Sequence, residues 1–519
     1  MRIRAPRNLV FSTSLVLAAV GATPAFGESW KVTEGVSLRG TYTDNVRLSR
    51  AGAEENAFIY ELTPSLGVHG RSSRLNIDAD LGVHTYAYSG VNAPVRNSPT
   101  LGLRSSAQLI ENFLFLDTDA RIQQQSGSII GQQSVDPSLL SASNVETRTL
   151  SIAPYIRGRI GNDVNYSLRY GVNRTNSDSK SAPGSTITLG SFHLGGGVGN
   201  TPFKWAFDTR QSTTQYSAGT HVDTDARSSI FSLSYAIQTN LIVTVRGGKD
   251  FNGVLAAQDN SQHRAYGMQV DWALNPQARV SASRDKKSFG DSFSYQFQYR
   301  NAISAFQISL AQSLNTLAGN LLTNPVGALA LVANTDRFES VPADDRLNQA
   351  LQYLTSLGMV TQVAPGVYDF GLLSKVVTQQ SYVDRRLAAS YAWTRGRDTV
   401  MVSAYRSRQT GVSSLFFTGV PDDLSTAGGV VLSRGASLSV LHKLTPLSSL
   451  AFTTNMSKGS SVTSGAANSL QRRYDLTLNT RLGQHTTGSV GVRHVTLDGS
   501  GGTTSYAENA LTGVLGLNF

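Results

Sequence analysis

Apolar and polar residues alternate with a period of two along almost the whole chain after Gly35, the pattern of strands with one apolar and one polar face. From Val164 to Val172, Val164, Tyr166, Leu168, Tyr170 and Val172 share one face, and Asn165, Ser167, Arg169 and Gly171 the other. Phe293, Tyr295, Phe297 and Tyr299 alternate in the same way with Ser294, Gln296, Gln298 and Arg300, and the pattern recurs from Tyr266 to Trp272 and from Tyr474 to Asn479.

Alternation alone fits a soluble sandwich as well as a membrane barrel, and the connections discriminate between them. Very short joins fall at Ser72-Ser73, Glu111-Asn112, Gly161-Asn162, Thr201-Pro202, Asn240, Asn275-Pro276, Arg300-Asn301, Gly396-Arg397, Thr445-Pro446 and Gly483-Gln484. They alternate with longer polar connections such as Ala51 to Asn56, Gly127 to Asn144, Asp178 to Ser185, Gly411 to Val431 and Gly499 to Ser505. That asymmetry is expected of a membrane barrel with short turns on the periplasmic side and loops outside. Counting between connections predicts an all-β fold over residues 28–519: a single closed antiparallel transmembrane β-barrel of about 22 strands, from Val36–Leu48 to Leu511–Phe519, with both termini in the periplasm.

Two features break the pattern. Pro64 and Pro154 fall inside predicted strands, and because proline cannot donate to a ladder each is expected at a bulge or strand start. Residues 315–378 have helical spacing instead: Leu347, Ala350, Leu351, Leu354 and Leu357 share one helical face, Asp344 can cap it, and Gly358 can stop it. Leu317 to Val332 predicts a second, more apolar helix. By sidedness this is a helical insertion in one long extracellular loop, either a self-packed cap or a lid or constriction folded into the pore.

The N-terminus explains how such a chain would reach its membrane. Arg2, Arg4 and Arg7, the apolar stretch Leu9 to Ala22 and the small-residue site Ala25-Phe26-Gly27 predict a cleaved secretory signal peptide over residues 1–27. No later segment offers a spanning helix, and the mean hydropathy is only −0.15. The absence of cysteine in 519 residues argues against a disulfide-stapled domain and against thiolate chemistry. A plugged transporter would carry a large N-terminal plug domain, whereas strands here are predicted within roughly ten residues of the mature start.

The formal charge of +10 falls to about +7 without the three signal arginines, which indicates either lipopolysaccharide-facing and loop arginines or a lumen suited to anionic cargo. The histidines, among them His69, His193, His263 and His494, are scattered without metal-ligand spacing. Gly195-Gly196-Gly197-Val198-Gly199 lacks the Gly-Lys-Ser/Thr of a phosphate loop, and no Gly-x-Ser-x-Gly elbow occurs. No catalytic residue, cofactor, metal or nucleic-acid partner is therefore expected.

Charged residues concentrate instead on the predicted inner face. Asp78 and Asp80, Asp117 and Asp119 beside Arg121, and Asp208 beside Arg210 suit an ion-pair network in the lumen wall more simply than paired-carboxylate hydrolysis. Arg157, Arg159, Arg169, Arg300, Arg386, Arg473 and Arg481 complete the predicted lumen-lining set, and a one-residue slip in register would turn any of them outward. Tyr42, Tyr86, Trp205, Trp272, Tyr391 and Trp393 fit an interfacial aromatic girdle. The last strand alternates through Leu515 and Leu517 to a terminal Phe519, which resembles the signal read by the barrel assembly machinery of Gram-negative bacteria.

Trp30, Val36 to Gly40 and the Tyr42-Thr43-Asp44-Asn45-Val46 run resemble the start of β-barrel porins, more narrowly the outer-membrane proteins associated with the PEP-CTERM/exosortase system. The similarity extends to Leu62 to Gly67, Arg284 to Gly290, and Gln379 to Arg397, whose Tyr382 to Leu387 leads into Thr399 to Arg408. The resemblance implies an outer-membrane barrel that works with export machinery in passing exopolysaccharide, and it supplies no catalytic residues. The expectation is a polar, loop-gated pore in the outer membrane of a Gram-negative bacterium, with outer-membrane lipid as its surroundings. The alternatives are an integral hydrolase or transferase and a non-conducting structural or binding barrel.

Overall fold

A computed structural model describes residues 29–126, 136–141, 144–178, 184–199, 201–216, 224–253, 263–315, 361–364, 367–369, 381–412, 429–462, 467–501 and 503–519, together with Ile130 and Ser134. The predicted signal peptide and both predicted helices of the 315–378 insertion lie outside these residues. The described part of that insertion beyond Asn315 is extended, not helical: β16 (Thr361–Ala364) pairs with β17 (Val367–Asp369) in a small hairpin.

The chain order runs β1 (Ser29–Thr43), β2 (Ala57–Arg71), β3 (Leu75–Ser89), β4 (Arg96–Ile110), β5 (Leu114–Ser126), β6 (Asn144–Ile160), β7 (Val164–Ser177) and β8 (Ser185–Gly197). It continues with β9 (Phe203–Tyr216), β10 (Thr224–Gln238), β11 (Leu241–Asn252), β12 (His263–Ala273), β13 (Ala278–Lys287), β14 (Gly290–Arg300) and β15 (Ser304–Asn315). After the hairpin come β18 (Tyr382–Arg395), β19 (Asp398–Gly411), β20 (Val430–Lys443), β21 (Ser448–Ser461), β22 (Asn468–Arg481), β23 (Thr486–Ser500) and β24 (Tyr506–Asn518). Each wall strand pairs antiparallel with its chain neighbour, β15 pairs with β18, and β24 pairs with β1. The result is a closed barrel of 22 strands, in which no sheet edge is left unpaired.

The strand boundaries depart from expectation at the start. β1 begins at Ser29 and ends at Thr43, so Val46 and Leu48 belong to the following loop. The prolines also behave differently. Pro64 pairs with Val36 of β1 and Pro154 with Leu116 of β5, each in mid-strand with no register shift. In an antiparallel strand a residue's N–H and C=O point to the same neighbour, so proline costs a bridge on one side only. The ladder from β2 to β3 passes from Leu62 to Ser65, and that from β6 to β7 from Ile152 to Tyr155, without bridges between.

The pairing registers carry one alternating set outward. Leu38, Tyr60, Leu168, Tyr170, Val245, Tyr266, Met268 and Val492 are all exposed on this face. An apolar surface that continues round the wall is one that water does not tolerate, and it defines the lipid-facing side. Of the predicted girdle, Tyr42, Trp205, Trp272, Tyr391 and Trp393 share this face, but Tyr86 points inward and is 2% exposed.

Candidate lumen constriction

The inner face carries Asp78, Asp80, Asp117, Asp119, Arg121, Arg157, Arg159, Arg169, Asp208, Arg210, Arg300, Arg386, Arg473 and Arg481, each offset from its lipid-facing neighbours by one residue. They form a dispersed set of small groups, not one cluster. Arg121 reaches Asp119 at 3.1 Å, and Arg169 donates to Asp117 at 2.7 Å while lying over the Tyr155 ring. His69 lies 3.2 Å from Asp78 and 3.6 Å from Asp80, and His193 lies 2.7 Å from Asp208. Arg473 donates to Asp475 at 2.6 Å. Arg157 stacks over Phe115 and Arg386 over Tyr405. Near the short turns Arg159 donates to Asn165, and Arg481 donates to the Gly483 and Gln484 carbonyls. Arg210 is exposed between Ser191 and Ser228, and Arg300 ends β14 opposite Ala305.

The most buried chemistry lies elsewhere, around the segment that follows β5. Asp136, 2% exposed, accepts from Arg39 of β1 at 2.5 Å and from Arg493 of β23 at 2.8 Å. Arg493 also donates twice to Glu508 of β24, at 2.7 and 3.1 Å, and Glu508 is fully buried. Arg39 reaches Glu61 at 3.5 Å, Glu61 lies 2.7 Å from His84, and Thr43 donates to Glu508 at 2.9 Å. Three carboxylates thus share two guanidinium groups, with Asp136, Arg493 and Glu508 buried and Arg39 partly exposed. Burial alone would raise the Asp136 carboxyl, but Arg39, Arg493 and the Ser138 backbone hold it well below the ordinary carboxylate range.

Further bonds fix the same segment to the wall. Tyr88 donates to the Ser138 carbonyl at 2.8 Å, Arg96 donates to the Pro137 carbonyl, and the Leu140 amide donates to Val46 at 2.9 Å. Leu139, with no exposed surface, packs among Val46, Leu48, Ile59, Tyr86, Val495 and Leu497. Ile130 packs with Tyr382 and Val431 at the outer ends of β18 and β20. Since β18 lies eleven ladder steps from β5 in either direction, the segment joins sectors of wall on opposite sides of the barrel.

The Tyr42-Thr43-Asp44-Asn45-Val46 run has a structural explanation here. Its Asp44 side chain accepts from the Asn509 amide and side chain, at 2.8 and 2.7 Å, which locks the end of β1 to β24. Buried Asn45 donates to the Ser49 and Ala507 carbonyls and accepts from the Ser49 amide, shaping the loop that turns Val46 and Leu48 inward. Leu48 adopts a φ of 54°, a conformation that disfavours side chains, and the surrounding apolar cluster holds it there. Along the sequence this run stands out as a motif and Gly127 to Asn144 as a long loop, with nothing to join the two. Leu140 of the loop bonds Val46 of the run, and Asp136 reaches Arg39 across 97 residues and Arg493 across 357, beyond any local periodicity.

At the C-terminus Leu515 and Leu517 lie on the lipid-facing side, and Phe519 is 71% exposed while its amide donates to the Glu34 backbone carbonyl at 2.8 Å. Among the described residues no three His, Asp or Glu side chains gather as a metal site.

No protein-family model matches the chain, and no curated protein does. Solved structures with a similar course include the siderophore receptor PirA from Acinetobacter baumannii, with 8% identity, a TM-score of 0.48, and coverage of 94% of this chain and 80% of that one. The FrpB iron transporter from Neisseria meningitidis gives 10% identity and a TM-score of 0.48 over 94% and 81%. Pseudomonas aeruginosa OccK5 gives 11% and 0.33 over 94% and 98%. At these values no substrate or partner of those proteins is carried over.

Proposed function

We propose that this protein is a pore for hydrophilic solutes in the outer membrane of a Gram-negative bacterium, narrowed near its outer end by residues 136–141 together with Ile130. The observation that carries the reading is the double clasp of Asp136 by Arg39 and Arg493, which holds a loop segment against the inner wall of a wide, polar-lined barrel. A closed wall with an apolar exterior and a charged, hydrated interior is suited to conducting solutes, and an inward loop is suited to setting their size. The β16–β17 hairpin supports a second contribution from the 315–378 insertion, since β16 approaches β4 although β15 and β18 lie across the barrel. Export by the signal-peptide route and insertion by the barrel assembly machinery through Leu515, Leu517 and Phe519 belong to the same reading.

Single-channel conductance of the refolded chain in planar bilayers tests it. Asp136→Ala should conduct at least twofold more than the parent, because the clasp is lost while the wall is intact. Silence from both proteins, each migrating as a heat-modifiable barrel, would overturn the pore and favour the structural or enzymatic alternatives. Exopolysaccharide is the finer form of the reading, supported by the family resemblance and by inner arginines spaced among serine, asparagine and glutamine. Acidic polysaccharide added on the loop side should then block the current, and an unchanged current would remove that cargo while leaving the pore.

A further inference from the structure

The outward face holds a second population of charge. From the short-turn end, outward residues of β19 run Val400, Val402, Ala404, then Arg406 and Arg408. On β20 they run Val440, Leu438, Ala436, then Arg434, and on β21 Leu450, Phe452, Thr454, Met456, then Lys458. β18 gives Trp393, Tyr391, Ala389, Leu387, then Arg385. A row of basic residues thus follows the apolar band at the same height on four consecutive strands. Eight residues from Asp398 to Arg406 rise roughly 20 Å at the usual pitch and tilt, close to the outer limit of an apolar band about 25 Å tall.

The registers set these charges against one another. Arg406 lies directly opposite Arg434, Arg434 directly opposite Lys458, and Arg385 directly opposite Arg408. Like charges directly opposite one another destabilise a sheet. Of the other basic residues on this face, Lys286 and Arg284 face Asp291 and Arg472 reaches Asp498 at 2.6 Å, while Lys249 and Arg264 form one further like-charged opposition, on β11 and β12. Among the described residues Arg406, Arg408, Arg434 and Lys458 have no ion pair. Four neighbouring cations without a protein counter-charge, facing lipid at the headgroup level, call for an anion supplied by the membrane.

We infer that the outward face of β18 to β21 is a binding site for the phosphorylated headgroup of an outer-leaflet glycolipid. Guanidinium forks engage phosphate oxygens in pairs, and the apolar residues beneath would lie along the acyl chains. Phosphate would relieve the repulsion between Arg406, Arg434 and Lys458, so the lipid would stabilise this sector of wall. The identity of the lipid rests on the outer-membrane reading, but not on conduction, and the assay is independent of current.

The test titrates the detergent-solubilised full chain with bisphosphorylated lipid A, with the dephosphorylated lipid and with inorganic phosphate, and reads bound lipid by native mass spectrometry and the unfolding midpoint. The phosphorylated lipid should be retained and raise the midpoint by several degrees. The triple variant Arg406→Gln/Arg434→Gln/Lys458→Gln should retain at least fivefold less and lose that rise, while starting from an equal or higher midpoint in lipid-free detergent. Arg284→Gln/Lys286→Gln removes two cations that share the Asp291 carboxylate and should bind as the parent does. Equal retention by the triple variant, equal binding of the dephosphorylated lipid, or full competition by millimolar phosphate would each overturn the assignment. A triple variant that fails to fold is replaced by Arg434→Gln alone, for which retention equal to the parent's would overturn the assignment in the same way.

Discussion

Two side-chain contacts of the same 2.7 Å length, one an arginine–carboxylate ion pair and the other a histidine–carboxylate hydrogen bond, sit on the inner face of this barrel in different surroundings. Arg493 and Glu508 are 8% and 0% exposed, enclosed by the Asp136 segment and the first loop. His193 and Asp208 are 44% and 56% exposed on the wall formed by β8 and β9. The contrast shows that the lumen is not uniform: its outer end beside β1, β2, β23 and β24 is packed like a protein core, while the wall at β8 and β9 is hydrated. On the proposed reading, a constriction anchored at β18, β20, β23, β24 and β1 to β4 would leave a polar passage along β8 and β9. Buried pairs of this kind matter most through what remains when one partner is removed, and exposed pairs contribute little in either sense.

The largest effect should come from cutting the enclosed pair. Arg493→Ala leaves the buried Glu508 without its guanidinium partner and Asp136 with Arg39 alone. Loss of about 3–5 kcal/mol is expected for a buried pair broken this way. Urea unfolding followed by the heat-modifiable band should show a clearly lower midpoint, and an unchanged midpoint would mean the network is not as dry as its burial indicates. Leu139→Ala should follow, at about 2–5 kcal/mol for a truncated core leucine. Part of that loss should be read as a wider channel, since Leu139 belongs to the segment and not to the wall.

Acid gives a milder way to open the same clasp. The Asp136 carboxyl titrates below its value in an unfolded chain, so its contribution is fully present above the unfolded value and is lost as pH falls through the lowered one. Conductance attributable to the segment should therefore stay level from neutral pH down to about pH 4 and rise only below it. In Asp136→Ala that acid-dependent rise should be absent. A rise beginning at about pH 6 in the parent, where carboxylates of ordinary pKa stay ionised, would assign the transition to another group.

Much of the wall is legible in the sequence because a barrel writes its fold locally. Each strand pair carries its own period of two, and most short turns carry Asn, Gly or Pro, so Gly161 and Gly396 stand in short turns with φ of 62° and 58°. The inner face follows from the same period, which is why Asp117 and Arg169 fall on it by alternation alone, and their 2.7 Å contact agrees. Tyr86 reads as outward by composition alone, as an aromatic at a strand's outer end, whereas its parity with Asp78 and Asp80 puts it on the inner face, where the packed loop buries it. Arg39, Asp136, Arg493 and Glu508 are not legible as a group. They lie on three strands and one loop, and the closure of β1 on β24, not any local pattern, brings them together.

The smallest expected effect lies on the hydrated side and tests the contrast most directly. Asp208 stands on the inner face of β9 with Lys204 and Arg210 on the same strand and His193 opposite. Asp208→Asn keeps the shape and removes one negative charge. An exposed pair contributes at most about 1 kcal/mol, so the unfolding midpoint should move little. The field along the passage should nonetheless change, because Lys204 and Arg210 then act without their nearby counter-charge. Reversal potentials in a salt gradient should shift toward anion preference, while single-channel conductance at symmetric high salt stays near the parent's. If Asp208→Asn lowered stability as much as Arg493→Ala, the side at β8 and β9 would be packed too, and the passage would have to be sought along another part of the wall.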